Sequence, residues 1–532
     1  MKSFWLTACA ICCVFSLHAQ SRVTDIHPSG DSDPKHLTVI DDHIYFSAYH
    51  PFYGEEAYVI DSSETTTALP EIVAGTDGSS PESFIEFQEA AYFLANKDEF
   101  TRTLYTYQNG TITELLSHGT SPEFGRLERD GQLDIFQNQL VFSMSARNFS
   151  YGFEPYAYSN GDSIQLLADV NPNGTSSNPS SFTEMGGKLY FLATGPGTGR
   201  ELWVYDPDSS QAQIAVDLKP GFGNGFEGPT STNTTQLVAF QNHLYFVGWD
   251  GVDGSQIFKF DGTNAPTALM IDGQRAQSVS SIFQLPNQLA FSARNHLGER
   301  ALYTYDGTAQ PTHVSDTPIY QAKYFRDGLM FMHDDDIHGE EMWYFDGVSA
   351  PYLLADIYPG SADALNYGTL YSYRGYCEVD GVFYFTADDG VHGRELWKFD
   401  GKNAPELVHD LNPGLAGSSP AYFVEYRGAL YVVADDGSEG TEIWKFKTPS
   451  TTTIESNSLT FNVYPNPTEN MLVLKTDQPV VQAEVLDLNG KRVMKVQGQL
   501  TQLNCSHLAA GTYVVRIKTV QGSTAQTLFS KF

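Results

Sequence analysis

Cysteine and basic side chains are the scarce components of this 532-residue sequence. Of five cysteines, Cys9, Cys12 and Cys13 fall near the start, and Cys377 and Cys505 lie far apart in the remainder. Two such thiols make no disulfide framework, and neither sits in a metal-ligand spacing, so the fold has to hold by packing alone. Lys and Arg number 31 against 64 Asp and Glu, a net charge of −33. A polyanion of this kind lacks the basic patches that nucleic acid or bare anionic lipid requires. No apolar run is long enough for a transmembrane span. Catalytic signatures are missing too: no GxSxG nucleophile turn, HExxH zinc helix, P-loop or Rossmann glycine pattern stands out.

The first twenty residues read as a secretory signal peptide. Lys2 supplies the positive start, Phe4 to Leu17 the short apolar stretch, and Ala19 the cleavage point before Gln20. Leu6-Thr7-Ala8-Cys9 has the letters of a lipoprotein box but leaves almost no apolar stretch ahead of Cys9.

Aromatic residues are plentiful, at 13%, alongside 46 glycines and 26 prolines. That mix suits many short strands separated by turns. One pattern recurs nine times, most clearly as Asp389-Gly390-Val391-His392-Gly393-Arg394-Glu395-Leu396-Trp397-Lys398-Phe399-Asp400-Gly401. The apolar centre of the strand before it falls at Phe46, Phe93, Phe142, Phe191, Phe246, Phe291, Phe331, Phe385 and Val432, at intervals of 40 to 55 residues. Short alternating strands at that period point to a β-propeller, because one such sheet cannot bury its own faces. In the last copy the strands are Ala421 to Tyr426, Ala429 to Ala434 and Glu442 to Phe446; a fourth shows one copy earlier at Glu406 to Leu411.

The position of Trp397 is aromatic throughout: Tyr58, Tyr105, Tyr156, Trp203, Phe258, Tyr303, Trp343, Trp397 and Trp444. A large flat side chain at one place in every copy fits packing between blades. The position two residues earlier holds Glu56, Glu154, Glu201, Glu341, Glu395 and Glu442, with Thr103, Gln256 and Ala301 elsewhere. A periodic Glu reads as a hydrogen-bonding group of the turn or strand.

The ninth copy lacks its fourth strand, and Arg22 to Gly30 resembles the missing piece, as seen in Val408 to Gly414. Residues 22–28 pairing beside Glu442 to Phe446 would close the ring and remove exposed edges. The expected fold class is therefore all-β: a closed propeller of eight to nine four-stranded blades over 21–447, copies two and six being degenerate. A Ser/Thr-rich linker follows at 448–458, then a small Ig-like β-sandwich at 459–532. That last segment has seven Lys/Arg and four Asp/Glu; without it and Lys2 the chain carries −37.

The loops between second and third strands gather acids: Asp335-Asp336, Asp388-Asp389 and Asp435-Asp436, each with a Gly one to three residues on. Clustered oxygens with tight turns are what calcium takes, although no loop has EF-hand spacing. The other reading is Asp stabilising a turn through local hydrogen bonds. No other cofactor is indicated.

The C-terminal segment reads Asn462-Val463-Tyr464-Pro465-Asn466-Pro467, then Leu486-Asp487-Leu488-Asn489-Gly490-Lys491-Arg492-Val493, then Leu508-Ala509-Ala510-Gly511-Thr512-Tyr513-Val514-Val515. It resembles the C-terminal sorting domain of the type IX secretion system of Bacteroidetes. The matching positions are Tyr464, Pro465, Asn466, Pro467, Asn489, Gly490, Lys491, Gly511 and Tyr513. The resemblance implies handling by the type IX machinery, outer-membrane surface or secreted localisation, and removal of the tail. The repeats resemble the bacterial family named for its ELWxxDGT motif, here Glu395-Leu396-Trp397-Lys398-Phe399-Asp400-Gly401; that family implies a repeat architecture and no settled activity. Together these readings favour an exported, non-enzymatic propeller that binds a glycan, protein or cell-envelope partner. The alternative is an exported polysaccharide hydrolase or lyase with acids in the propeller channel.

Overall fold

The computed structural model describes residues 20–531 except 99–101, 116–132, 146–151, 160–163, 227–236, 366–374, 448–460, 487–491 and 521–523, and the single positions 253, 280, 296, 321, 467, 469 and 477. Residues 1–19 of the signal segment and the linker therefore lie outside the described residues, as do Pro467, Asn489, Gly490 and Lys491 of the sorting motif. The described residues are strands and turns, with no helix. No helix is long and apolar enough to cross a membrane.

Among the described residues, nine four-stranded antiparallel sheets precede position 448. Sheets 1 to 8 occupy 35–68, 82–114, 134–166, 180–216, 238–268, 282–315, 322–353 and 376–409. Each is a simple meander, because its first two strands are joined by a two-residue turn whose backbone twist matches theirs. Gln137 and Asn138 make such a turn with φ of 44° and 63°.

Second strands are buried on both faces, as in His43–His50, where Ile44 to Ala48 are all covered. Alternate residues go to opposite neighbours. Phe46 and Tyr58 of sheet 1 pack with Tyr431, Val433 and Ile443 of sheet 9. Tyr45, Ala57 and Val59, on the other face, pack with Phe84, Phe93 and Tyr105 of sheet 2. The same arrangement repeats, so that sheet 5 meets sheet 6 through Tyr245, Ile257, Phe291 and Tyr303, and sheet 8 meets sheet 9 through Tyr384, Leu396, Leu430 and Phe446. Burying each large apolar side chain is worth about 1.5–3 kcal/mol. The recurrent third-strand aromatic belongs to these interfaces. It also lies opposite the second-strand Phe, with stacked rings 5.6 Å apart for Phe46–Tyr58 and 5.9 Å for Phe246–Phe258.

Sheet 9 takes three strands from Ala421–Tyr426, Ala429–Asp435 and Thr441–Lys447, and its fourth from Gln20–Arg22. The pairing of the N-terminal segment with the last copy matches expectation in partner but not in extent. The ladder runs from Gln20 opposite Phe446 to Arg22 opposite Trp444, and the Val23 N–H donates to the Ile443 carbonyl at 2.8 Å. It stops there because Thr24 turns inward: its hydroxyl donates to Glu442 at 2.6 Å and accepts from the Ile443 N–H at 2.9 Å. Residues 25–28 are not strand. At the turn end, Arg427 holds Asp42 of sheet 1 with two bonds of 2.7 and 2.9 Å, and the Tyr426 hydroxyl donates to the Asp42 carbonyl.

The C-terminal segment forms a three-stranded and a four-stranded sheet over one core that includes Leu472, Val485, Val515, Ile517 and Phe529.

Thr24 and the N-terminal strand give a direct test. Thr24→Val leaves buried Glu442 short of a donor and should destabilise the chain by about 1–3 kcal/mol. Deleting residues 20–24 should lower the melting temperature further in a thermal melt; an unchanged melt would show that the strand does not secure sheet 9.

Candidate functional site

The two ends of the array are built differently. At one end lie the turns between first and second strands and between third and fourth strands. At the other lie the loops between second and third strands, together with the segments that lead into the next sheet. The close approach of these loops and segments is enforced at Gly393: its φ is +69°, and a Cβ there would meet Gly417 N and Leu415 O at 2.7 Å.

The periodic glutamate anchors those connecting segments. Glu395 is fully buried and accepts from Leu411 N–H at 3.3 Å, Asn412 N–H at 3.2 Å, Ser418 N–H at 2.9 Å and the Ser418 hydroxyl. Glu154 accepts from Val170 N–H (2.9 Å), Ser177 N–H (3.1 Å) and Ser177 Oγ (2.7 Å). Glu201 takes Leu218 and Gly225 N–H at 2.8 and 2.7 Å, and Glu341 takes Ile357 and Tyr358 N–H at 3.1 and 3.0 Å. Glu56 is reached by the Ser79 hydroxyl at 2.6 Å. In each case the donors sit 16–17 or 23–24 residues downstream. Glu442 has no segment downstream in the array and is served by Thr24. The expected hydrogen-bonding role is thus observed, and its object is the whole connection between sheets. The Ser and backbone donors were not anticipated; the recurring Glu, Asp-Leu and Ser at those offsets are the signal that could have found them.

In two of the three sheets where the Glu is replaced, another tie takes over. In sheet 5 Arg275 donates to Gln256 Oε1 at 3.0 Å and to Asp250 at 2.6 Å. In sheet 6 the Ser292 hydroxyl accepts from Ile319 N–H at 2.6 Å. Burial pushes the carboxyls of Glu56, Glu154, Glu201 and Glu341 up to about 7 and raises those of Glu395 and Glu442, against the lowering effect of their donors.

The acidic loops are organised by their own backbone. Asp335 Oδ1 accepts from Ile337 and His338 N–H at 3.0 and 2.9 Å, and Oδ2 meets His338 Nδ1 at 2.8 Å. Asp389 does the same with Val391 and His392 at 2.9, 2.8 and 2.7 Å. Asp436 accepts from Ser438 and Glu439 N–H at 2.9 and 3.0 Å. Asp388 and Asp435 each accept from the Gly two residues on, at 2.7 Å, and Asp336 takes a positive φ of 65°. These are Asx turns. Among the described residues no group of three or more His, Cys, Asp or Glu is placed to hold a metal. The His338 bond holds the Asp335 carboxyl down at about 2.

In the C-terminal domain, Tyr464 ends the strand Asn462–Tyr464 and is exposed, and Pro465 follows it. Asn466 Oδ1 accepts from Ser530 N–H at 2.9 Å, and its amide donates to the Leu528 carbonyl at 3.1 Å, tying the entry strand to the last one. Gly511 opens the strand Gly511–Thr519. Tyr513 stacks on Phe529 at 5.7 Å, and its hydroxyl donates to the Ala509 carbonyl at 2.9 Å.

Glu395→Ala would orphan several buried N–H groups and should cost on the order of 3 kcal/mol or more. The pH dependence has a definite sign. A folded-state pKa near 7 against an unfolded value of 4.5 means that the native state binds more protons in that window. Stability should therefore be fully present below about pH 4.5 as far as these groups go, and fall as pH rises through about 7. Asp261 and Asp335, held at about 2, act oppositely and lose their contribution only as pH falls from 3.8 toward 2. Denaturant melts from about pH 8 to about pH 5 should show rising stability, and Glu154→Gln should flatten that rise. For the acidic loops, calorimetry should register no heat on adding calcium, and chelator should leave the melting temperature unchanged. A calcium-dependent shift abolished by Asp389→Asn would overturn the turn-only role.

Residues 462–531 match the family described as "Secretion system C-terminal sorting domain". No curated protein matches the chain. Among solved structures, it is similar to PorZ, a surface component of the type IX secretion system of Porphyromonas gingivalis, at 12% identity and a TM-score of 0.32, over 94% of this chain and 66% of that one. It is similar to a Mycobacterium tuberculosis puromycin-hydrolyzing peptidase at 13% identity and a TM-score of 0.35, over 66% of this chain and 57% of that one. The chain thus spans less than two thirds of the length of either protein. The β-propeller domain of the Trilobed protease from Pyrococcus furiosus matches at 12% identity and a TM-score of 0.31, over 62% of this chain and 98% of that domain. The sorting domain marks the chain for export by type IX secretion to the cell surface or beyond the outer membrane.

Proposed function

We propose that this chain is an exported, non-enzymatic binding propeller: a closed ring of nine four-stranded blades over 21–447, a linker at 448–458, and a sorting domain at 459–532 that is removed in the mature form. The first twenty residues hold the Sec signal peptide of this reading, cut after Ala19 so that Gln20 remains to pair with Phe446, and the array is a member of the ELWxxDGT type. Ring closure is supported by the shared core of sheets 9 and 1 and by the N-terminal strand that completes sheet 9.

The observation that carries the binding assignment is the use made of the buried acids. A hydrolase or lyase needs two carboxylates of unlike environment facing a substrate. The carboxyls raised to about 7 share one environment, each with its oxygens turned to the segment leaving its own sheet; Asp134, raised to about 6 by burial alone, stands apart from that set. They hold loops in place, and preorganised loops on a rigid scaffold are what recognition uses.

The test is removal of 459–532. The propeller should still fold and melt as a unit, although it loses the ion pairs that Arg492 and Lys495 make with Asp41 and Glu86, yet remain in the periplasm on fractionation. The mature surface or released protein should lack the tail by mass spectrometry. Efficient export of the truncated chain would refute the sorting role, and hydrolysis of a polysaccharide by the purified full chain would refute the non-enzymatic one.

A further inference from the structure

Six loops between second and third strands end in the same construction: a side-chain acceptor fixes the backbone N–H two residues on, and that second residue forms the tip. The pairs are His50–Phe52 (3.2 Å), Asp250–Val252 (3.0 Å), Asn295–Leu297 (2.9 Å), Asp335–Ile337 (3.0 Å), Asp389–Val391 (2.9 Å) and Asp436–Ser438 (2.9 Å). Five of the six tips are apolar and project into solvent, with 71%, 48%, 69%, 65% and 63% of Phe52, Val252, Leu297, Ile337 and Val391 exposed. The opposite end contains a control. Its turns between third and fourth strands use the same bond, from Asp61, Asp206, Asp261, Asp306, Asp346 and Asp400, at 2.8 to 3.0 Å. There the tips are Ser63, Asp208, Thr263, Thr308, Val348 and Lys402, polar in five cases of six. The turn chemistry therefore does not require an apolar tip. A lone exposed apolar side chain needs no explanation; one at the same place in five loops of one end does. Phe222 and Leu415, in connecting segments of that end, are also solvent-exposed.

We propose that this arc of apolar tips, consecutive over sheets 5 to 8 and resumed by Phe52 of sheet 1, is the docking surface of the propeller, and that its occupant is a protein presenting apolar contact area flanked by Lys and Arg. The proposal rests on the binding reading above and names the surface. Charge supplies the first argument. The six loops contain Asp250, Asp253, Glu299, Asp335, Asp336, Asp389, Asp436 and Glu439 and no Lys or Arg; Arg275 and Arg22, from adjoining segments, pair with Asp250 and Glu439, which leaves the rim acidic on balance. Such a rim repels anionic lipid or a second copy of itself and attracts a cationic rim. The second argument is side-chain type. Aliphatic Val252, Leu297, Ile337 and Val391 stand with exposed aromatic Phe52, Tyr53 and Trp249 in these loops, and apolar and aromatic contact area of that kind is what the core of a protein interface uses. The third is preorganisation: the tips are held by their side-chain-to-backbone bonds before any partner arrives, so little freedom is lost on contact.

The experiment uses the full chain in cells that export it. A photo-reactive p-benzoylphenylalanine is introduced at Leu297 or Val391, and at Val348 as the opposite-end reporter. The expected result is a protein adduct from 297 and 391 and none from 348. The captured protein is then identified, purified and titrated against the full chain. Leu297→Ser/Ile337→Ser/Val391→Ser should weaken binding at least about tenfold while the melting temperature stays within about 2 °C, since exposed side chains contribute little to stability. Val348→Ser should change nothing, and raising salt from about 50 to about 500 mM should weaken the complex by screening the rims. Equal affinity of the triple variant would overturn the proposal. So would tip-dependent binding to neutral phosphatidylcholine vesicles in place of a protein adduct. Capture from 348 alone would overturn this surface and leave the binding reading standing; no adduct from any position would overturn both.

Discussion

Every sheet of the array has two apolar faces, and four strands cannot cover either of them. That constraint organises the rest. Residues along a second strand alternate between two different cores, so Phe46 stabilises the interface with sheet 9 while Tyr45 stabilises the one with sheet 2. No sheet is complete without both neighbours, which leaves the first and last sheets with the same need as the others. They meet it in each other, through Phe46, Tyr58, Tyr431 and Ile443, and Gln20–Arg22 removes the strand edge that sheet 9 would otherwise expose. Stability in such a chain is a sum of neighbour interfaces, and disulfides are not needed to hold it.

Apolar faces fix how sheets stack but not how the chain crosses between them. Crossings contain turns, and their backbone N–H groups cannot be left dry. The buried glutamate answers that problem with one side chain. Its two oxygens collect donors from both ends of the connecting segment, as Glu395 does with Leu411 and Ser418. The cost is a carboxylate in a poor solvent, visible as the raised pKa of all six of these groups. At the other end the scarce basic residues do comparable work. Arg326 donates to the Asp400 carbonyl at 2.6 Å, Lys259 to that of Gly307 at 2.9 Å, and Arg427 to Asp42.

Much of this was legible in the sequence. Ala421–Tyr426 and Met471–Lys475 have the bounds that alternation and turn residues predicted. The recurrent aromatic and the periodic Glu have the packing and hydrogen-bonding roles expected of them. The N-terminal complement to the last copy was readable from a half-motif, but its register was not: strand alternation in Arg22 to Ile26 gives no hint that Thr24 leaves the ladder for a buried carboxylate. The partners of the glutamates were hidden for a related reason. A side chain that bonds 16 and 23 residues away joins positions that no local propensity links. In the acidic loops, paired Asp before Gly serves a calcium site and an Asx turn equally well on paper. Only the geometry shows the oxygens already directed at Ile337, Val391 and Ser438.

The apolar tips were invisible for a deeper reason. Val391 between Gly390 and His392 looks like any residue of a turn, and composition cannot tell a covered valine from an exposed one. What distinguishes it is a comparison within the molecule. Two sets of turns share one hydrogen bond and differ in what they offer to solvent: Val391 and Ile337 at one end, Lys402 and Thr308 at the other. Since the bond is common to both sets, the fold places no demand on tip polarity, and apolar exposure at the loop end is not a by-product of folding. Solubility disfavours it, most of all beside connecting segments whose approach is so close that Gly393 tolerates no side chain. The glutamate anchors, the Asx turns and the glycines all act to hold that end still, which is the condition under which exposed apolar side chains can bind rather than merely stick.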